Sequence, residues 1–362
     1  MDTLKLEAGM YGEALAQGKT LSTWLEDHIV EKGFAPTPYL GMGNRERMAY
    51  KKMLAAQGKE IAPDAFDIAL KQFGIQAFGS VTDSVGKFFQ NADSAVLFPE
   101  FVSRTIYASA LQASLVERMG IERVVISNSF EFKKIYLEEG EDDRQLSLSG
   151  RNDMAPQMKI KVGAKSVNLQ KFWRSFLLDY QAIYNTPLAL YSAVLRRIGE
   201  QLGIDSTDDF IYTLLNGDGN SNGLSATYVV ETGTSGTITK PDFINFATEL
   251  PLPYAVDRYV ATKAQIQKVW DMLSDMSNPP TQWAATSIPM PNGYEWDRSV
   301  LTSDYLLGID SARTGQYVTN DGALMTETDR IINKQQVETV VSTWGIFSII
   351  DQKGIAALDI TH

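Results

Sequence analysis

The hydrophobic positions change their period along the chain, and each change marks an element. Up to residue 95, apolar residues such as Leu21, Trp24, Leu25, Phe66, Leu70 and Phe73 form narrow helical stripes, punctuated by Gly33, Gly41, Gly43, Gly58, Gly74 and Gly79. The spacing predicts a string of short helices. Thr23-Trp24-Leu25-Glu26 reads as a capping box, Asn44 as the cap of a helix over 45–57, and Pro63 as the first turn of one closing near Gly74. Stripes this thin do not make a core of good size, so the arm is expected to lean on the rest of the chain or on another subunit. From Pro99 the stripe strengthens: Phe101, Val102, Ile106, Leu111, Leu115 and Met119 predict a helix that stops at Gly120.

The period then becomes two. Ile126, Phe130, Phe132 and Tyr136 share one face of the run 124–137, and Met158, Ile160, Val162 and Ala164 alternate with Lys159, Lys161 and Lys165. These predict two strands of one long hairpin around a polar tip, Glu138 to Asp153. At about 3.3 Å per residue such a strand reaches on the order of 45 Å, farther than the radius of an ordinary domain. An isolated two-stranded hairpin is marginal in water, so its apolar face must lie on another surface. The candidate inter-subunit contacts are Phe130, Phe132, Tyr136, Met158, Ile160 and Val162 on the strands, with Glu138, Glu139, Glu141, Arg144 and Arg151 at the tip. Trp24 and Leu25 of the arm join them.

Thr186-Pro187 supplies a cap and a first-turn proline to a one-sided helix marked by Leu188, Tyr191, Leu195, Ile198 and Leu202. Gly203 is expected to break or end it before a second helical run, Asp208 to Leu215. Residues 216–240 are rich in turns around a short Tyr228-Val229-Val230 strand. An α+β lobe follows, with helices expected at Pro241 to Leu250, Ala264 to Met276 and Arg298 to Leu307. Strands are expected around Trp283 to Ala285, Gln316 to Val318, Gln336 to Thr343, Trp344 to Ile350 and Ile355 to Ile360.

Composition narrows the chemistry. The 362 residues hold 33 Lys plus Arg against 44 Asp plus Glu, a net charge of −11, which disfavours a surface that wraps nucleic acid by neutralising phosphates. There is no cysteine, hence no disulfide, thiolate metal site or cysteine nucleophile. His28 and His362 are the two imidazoles, which nearly removes histidine-dependent triads and common zinc sites. The first residues lack the basic and apolar regions of a signal peptide, and Trp344 to Ile350 falls far short of the roughly 20 residues of a membrane span.

The remaining motifs each have a plainer explanation. Asp218-Gly219-Asn220-Ser221-Asn222-Gly223 matches the first half of a calcium loop, but Val229 stands where the bidentate glutamate belongs; a Gly/Asn-rich turn accounts for it better. Five carboxylates in the six residues Glu138 to Asp143 could feed an acidic hydrolase, yet catalytic pairs need one carboxyl in an apolar pocket, and this run reads as a solvated hairpin end. Gly41-Met42-Gly43 lacks the strand and third glycine of a dinucleotide site. Phe172, Trp173, Phe176 and Tyr180 read as core or interface rather than a platform for bases.

Helical arm, helix, protruding hairpin, one-sided helix ending in Leu214-Leu215-Asn216-Gly217-Asp218-Gly219 with Gly223-Leu224 after it, α+β lobe, returning strands: this order resembles the major capsid proteins of tailed bacteriophages, whose Hong Kong 97-type fold is shared with encapsulins. The turn at 214–224 and the segment from Asp329-Arg330 through Gln336 to Val341 and Gly345 to Ile349 carry the resemblance over roughly residues 95–362. It implies an α+β fold with an N-terminal helical arm over 1–95, a peripheral domain starting at 96–123, an extended loop over 124–172 and the peripheral spine helix in 173–235. The axial domain would be 236–340, with return strands at 341–362. It implies a virion protein, assembled in the host cytoplasm as hexamers and pentamers of itself into an icosahedral shell around double-stranded DNA, without sequence-specific DNA binding, membrane or cofactor. Portal, scaffold or decoration proteins would be its other partners. Some family members cross-link subunits through a loop lysine and an asparagine; Lys159, Lys161 and Lys165 match by location only, so no catalytic residue is assigned. An encapsulin-like compartment is the nearest alternative, and an acidic hydrolase the remote one.

Overall fold

A computed structural model describes residues 6, 8–17, 19–29, 36–77, 79, 82–114, 116, 119, 121–126, 129–138, 159–274, 294–296, 305–320 and 325–361. In chain order the helices are α1 (Ala8–Ala16), α2 (Leu21–His28), α3 (Asn44–Ala56), α4 (Ala65–Gln72), α5 (Ala92–Ala95), α6 (Leu97–Ala113), α7 (Tyr180–Asn185), α8 (Leu188–Asn216), α9 (Lys240–Thr248) and α10 (Lys263–Ser274). The strands are β1 (Glu122–Ile126), β2 (Glu131–Glu138), β3 (Lys159–Asn168), β4 (Gln170–Asp179), β5 (Val229–Glu231), β6 (Arg258–Ala261), β7 (Tyr294–Trp296), β8 (Tyr305–Ile309), β9 (Gly315–Asn320), β10 (Met325–Ile331), β11 (Gln336–Ile349) and β12 (Ile355–Asp359).

The 14-residue β11 organises the first sheet. Its residue Gly345 pairs with Gln170 of β4 on one side and Thr319 of β9 on the other; β10 continues along the β9 side, and β1 adds in parallel beyond β9. The second sheet runs β5-β12-β8-β6-β7, and among the described strands β2 pairs with β3 alone. The sheets cut across the boundary expected at residue 340, because β9 and β10 share a sheet with β11, whereas β12 lies in the other sheet.

The 29-residue α8 joins these layers, and at about 1.5 Å per residue it spans roughly 45 Å. Leu188, Tyr191 and Leu195 enter a core with Phe98, Phe101 and Ile106 of α6 and Val337 and Val341 of β11. Phe210, Ile211 and Leu214 enter a second core with Phe347 and Ile349 from one sheet and Val260, Leu307 and Ile355 from the other. A third core joins Phe246 of α9 and Val269 and Met272 of α10 to Leu306 and Leu358.

Gly203 neither breaks nor ends this helix, correcting the expectation. It lies on the buried stripe with Gly199, where α6 crosses so closely that side chains have no room. A Cβ at Gly203 would stand 2.6 Å from the Ala110 carbonyl oxygen and 2.7 Å from the Ala113 Cβ; one at Gly199 would stand 2.8 Å from the Ser109 Cβ and closer still to the Ile106 carbonyl. Other expectations shift for local reasons. Thr20, not Thr23, caps α2, its hydroxyl accepting from the Thr23 amide at 3.4 Å. Gly43 is the cap of α3, and Asn44 its first residue. The helix expected to reach Gly120 ends at Ala113, and the run 124–137 divides, β1 ending at Ile126 and β2 beginning at Glu131. Gln336 to Ile349 is one strand rather than two. The helix expected at 298–307 gives way, at its described end, to strand β8, paired with β6 and β12. The strand expected at Trp283 to Ala285 lies outside the described residues.

The arm packs on its own chain. Trp24 and Leu25 are 4% and 2% exposed in the same core as Phe98 and Leu195, with Phe66 beside them and Phe73 partly buried against it. As contacts to a neighbour, Trp24 and Leu25 are therefore corrected to internal core residues. A buried ionic network fastens the arm to α6. The Arg104 guanidinium donates to Asp64 at 2.9 Å, to the Ser22 hydroxyl at 2.7 Å and to Glu100 at 3.3 Å; Lys51 reaches Asp64 at 2.8 Å and Asp67 at 3.1 Å. Glu26 accepts from the Ala65 amide at 2.6 Å and from the Thr37 hydroxyl, with Arg47 at 3.7 Å. Burial pushes the Asp64 carboxyl up, but Arg104 and Lys51 outweigh it and hold the group well below the usual carboxylate range.

Two outcomes follow from this packing. Gly→Ala in a free helix gains about 0.5–1 kcal/mol, but Gly199→Ala is expected to lose about 1–3 kcal/mol in denaturant melts, because the new methyl meets α6 backbone. Since the Asp64 carboxyl is depressed, its contribution is full above about pH 4 and is lost progressively as pH falls towards its folded value, so limited proteolysis should cleave the arm increasingly ahead of the body as pH is lowered from about 4 to 2, and not at neutral pH.

Candidate assembly surface

The residues outside the core gather around the root of the hairpin. β2 and β3 pair from Glu131–Asn168 to Glu138–Lys159, so Tyr136 stands opposite Lys161 and Leu137 opposite Ile160, with Val162 opposite Ile135. The described hairpin thus begins at Glu131, not at 124. Glu139, Glu141, Arg144, Arg151 and Met158 lie outside the described residues.

The first sheet has two unlike faces. Phe172, Phe176 and Leu178 of β4 alternate with Trp173 and Leu177, and the first set faces α8 and its core while the second faces away. On the outer face, Val318 and Ile346 are covered by Phe132, Val167 and Leu169 from the hairpin root. Beyond the root the cover stops. Phe130 packs on Trp344 with ring centroids 4.6 Å apart, and the Lys171 ammonium lies 5.5 Å from the Trp344 ring and 5.8 Å from that of Trp173. Trp173 is 66% exposed, Leu177 53% and Phe130 55%, so an apolar row runs from the hairpin root along β4. β4 pairs with β11 alone among the described strands.

The turn after α8 holds the hairpin root. Lys134 is 7% exposed; its ammonium donates to the Asp218 carboxylate and, at 2.9 Å, to the Ile349 carbonyl. Asp218 also accepts from the Ile349 amide at 3.0 Å and from Asn220 at 2.8 Å, and Asn220 reaches the Ser166 carbonyl of β3 at 3.4 Å. Burial pushes the Asp218 carboxyl up, but hydrogen bonds from Lys134, Asn220 and Asn222 bring it below the usual range. The half calcium loop of the sequence is thus a turn whose carboxylate already serves an ammonium. Lys134 went unmarked in the sequence although it shares parity with Phe132 and Tyr136, and a lysine at an inward strand position signals a buried acid partner.

The groove between α8 and β4, about 230 Å³, is lined by Ile106, Phe172, Leu202 and Asp205, and Asp205 is held by Gln201 at 2.8 Å. His28 stacks on Trp24 at 4.2 Å and bonds to its carbonyl. Of the acidic run Glu138 to Asp143, Glu138 ends β2 and the other carboxylates lie outside the described residues.

Comparison with solved structures identifies the architecture. The holo-SrpI encapsulin complex from Synechococcus elongatus PCC 7942 superposes with a TM-score of 0.52 at 10% identity, over 69% of this chain and 89% of that one. The chain has the Hong Kong 97-type capsid fold. Similarity is also found to the capsid of a native GTA particle (TM-score 0.48, 13% identity, 70% of this chain and 90% of that one) and to Mycobacterium phage Cain (0.49, 13%, 69% and 92%). No family profile matches the sequence, and no curated protein matches it.

Among the described residues one buried carboxylate is only half satisfied. Asp209 of α8 has a buried Oδ2 without a partner, and burial pushes its pKa up to about 6 against a single bond from the Phe347 backbone. A raised carboxyl costs stability once ionised, so the cost is absent below about pH 4 and complete above its folded value. Asp209→Asn should therefore raise the denaturation midpoint at neutral pH and leave it unchanged at about pH 4, read by melts across that range.

Proposed function

We propose that this chain is a major capsid protein, assembling copies of itself as hexamers and pentamers into a closed icosahedral shell around packaged double-stranded DNA. The observation that carries the reading is the pairing of a two-stranded hairpin, 131–168, with an open apolar row on β4, in a chain with a capsid fold. Neither feature is stable as a free surface, and one copy's hairpin laid on the next copy's row removes both from water. The acidic tip, Glu138 to Asp143, suits a surface that carries Lys171 beside Trp173 and Trp344. In this reading 1–95 is the helical arm and 124–172 the extended loop, with the peripheral and axial parts following as the resemblance draws them, apart from the exchange of strands across residue 340.

The role is mechanical, with no catalytic residue and no cofactor, and the place is the virion, assembled in the host cytoplasm; portal, scaffold and decoration proteins are the further partners. No helix among the described residues is long and apolar enough to cross a membrane. An excess of negative charge suits a container that must not trap DNA during filling. A second reading, an encapsulin-like compartment, is favoured by the likeness to the encapsulin fold; against it stands an arm built into the core, longer than encapsulins usually carry.

Purified full-length chain should sediment as megadalton closed particles, and particles from producing cells should protect double-stranded DNA from nuclease. Protein cargo without DNA would select the compartment, and a monomer or small oligomer would overturn both readings. Replacing Glu138 to Asn152 by a short Gly-containing turn should keep the subunit's helicity and abolish closed shells; shells of normal diameter from that variant would contradict the role of the hairpin.

A further inference from the structure

A hairpin that meets its neighbour far from its own root multiplies any angular error at the root. The apolar packing of Phe132, Val167 and Leu169 against the sheet is non-directional and leaves that angle loosely defined. What is directional at the root is the Lys134 ammonium. The ladder of β2 and β3 is interrupted where it sits: Lys133 pairs with Ser166, but Ile135 pairs with Val162, an irregularity of the kind that re-aims a side chain. Lys134 turns into the body there and is held by Asp218 and the Ile349 carbonyl, while Asn220 takes the Ser166 carbonyl of the other strand. One turn therefore grips both strands. That turn is itself rigidly set: Gly217 and Gly219 have φ of 87° and 90°, and a Cβ on Gly223 would stand 2.6 Å from the Leu215 carbonyl oxygen.

We propose that Lys134 is the positioning residue of the assembly hairpin, fixing through Asp218 the direction in which β2 and β3 leave the body. The inference rests on the shell reading for its purpose, but its geometry can be measured without a shell. The hairpin root is a joint with a charged pin: the packed apolar residues let it bend, and the ion pair selects one angle. A purely stabilising ion pair would change the melting temperature and leave the angle alone.

The chain has no cysteine, so Glu138→Cys at the outer end of β2 and Tyr212→Cys on the exposed side of α8 accept two spin labels and nothing else does. Labelled full-length chain, diluted with unlabelled chain so that neighbours do not contribute, should give one narrow label-to-label distance by pulsed electron resonance. Lys134→Met should shift and spread that distance, Asp218→Asn should do the same, and Lys134→Arg should restore the narrow peak. If Lys134→Met does not fold, Asp218→Asn carries the measurement, with near-ultraviolet dichroism as the check on the body. An unchanged narrow distance in a folded Lys134→Met or Asp218→Asn chain overturns the proposal whatever the melting temperature does, and so does a Lys134→Arg chain as spread as Lys134→Met. Should the chain form no shell at all, the proposed function falls while the distance still reads the joint.

Discussion

Everything in this subunit hangs from the close crossing of α8 over α6, where two glycines four residues apart remove the side chains that would hold the helices apart. With Gly199 and Gly203 on the contact, the backbone of α6 lies against α8, and the flanking Leu195 and Ile106 close the core on one side while Phe210 meets Phe347 edge-on at 4.6 Å on the other. A helix anchored this way couples two packed regions that would otherwise be separate small cores. The arm docks on its first half, both sheets on its second half, and the turn at its end receives the hairpin.

The same crossing explains why the arm is part of the body. Its thin stripes order only because α6 and α8 complete their core, and the buried charges then select the register. Such a network adds little net stability over apolar residues of the same volume, yet removing one member leaves a buried charge uncompensated, at about 3–5 kcal/mol. Arg104, shared by Asp64, Glu100 and Ser22, is the member whose loss would strand the most partners.

How much was legible depended on whether the signal was local. The stripe Leu188, Tyr191, Leu195 marked the spine helix, and alternation marked the hairpin and β11, because those patterns are set by which face is buried. Gly203 was misread because a glycine that ends a helix and one that notches it look alike until the partner helix is in place. The division at Ile126 was hidden because β1 pairs in parallel with β9, almost 200 residues on, and alternation says nothing of the partner. Tyr305-Leu306-Leu307 is too short a run to distinguish helix from strand. Around the hairpin root, Phe130 is exposed while Phe132 packs on its own sheet, a difference alternation alone does not show; Trp173 and Phe172 face opposite ways although the sequence groups them, and the parity of Lys134 sets it inside. For Trp24 and Leu25 the sequence left the rest of the chain and a neighbouring subunit both open, because the depth of the arm's core comes from residues 70 and more positions away.

A density map of the assembled particles, resolved to side chains, tests the central claim most directly. The account predicts closed shells in which each hairpin crosses to the adjacent subunit and covers Trp173 and Leu177 there, with the arm still packed on its own α6. A hairpin folded back over the row of its own chain, or a row left bare to solvent in the finished particle, would contradict it.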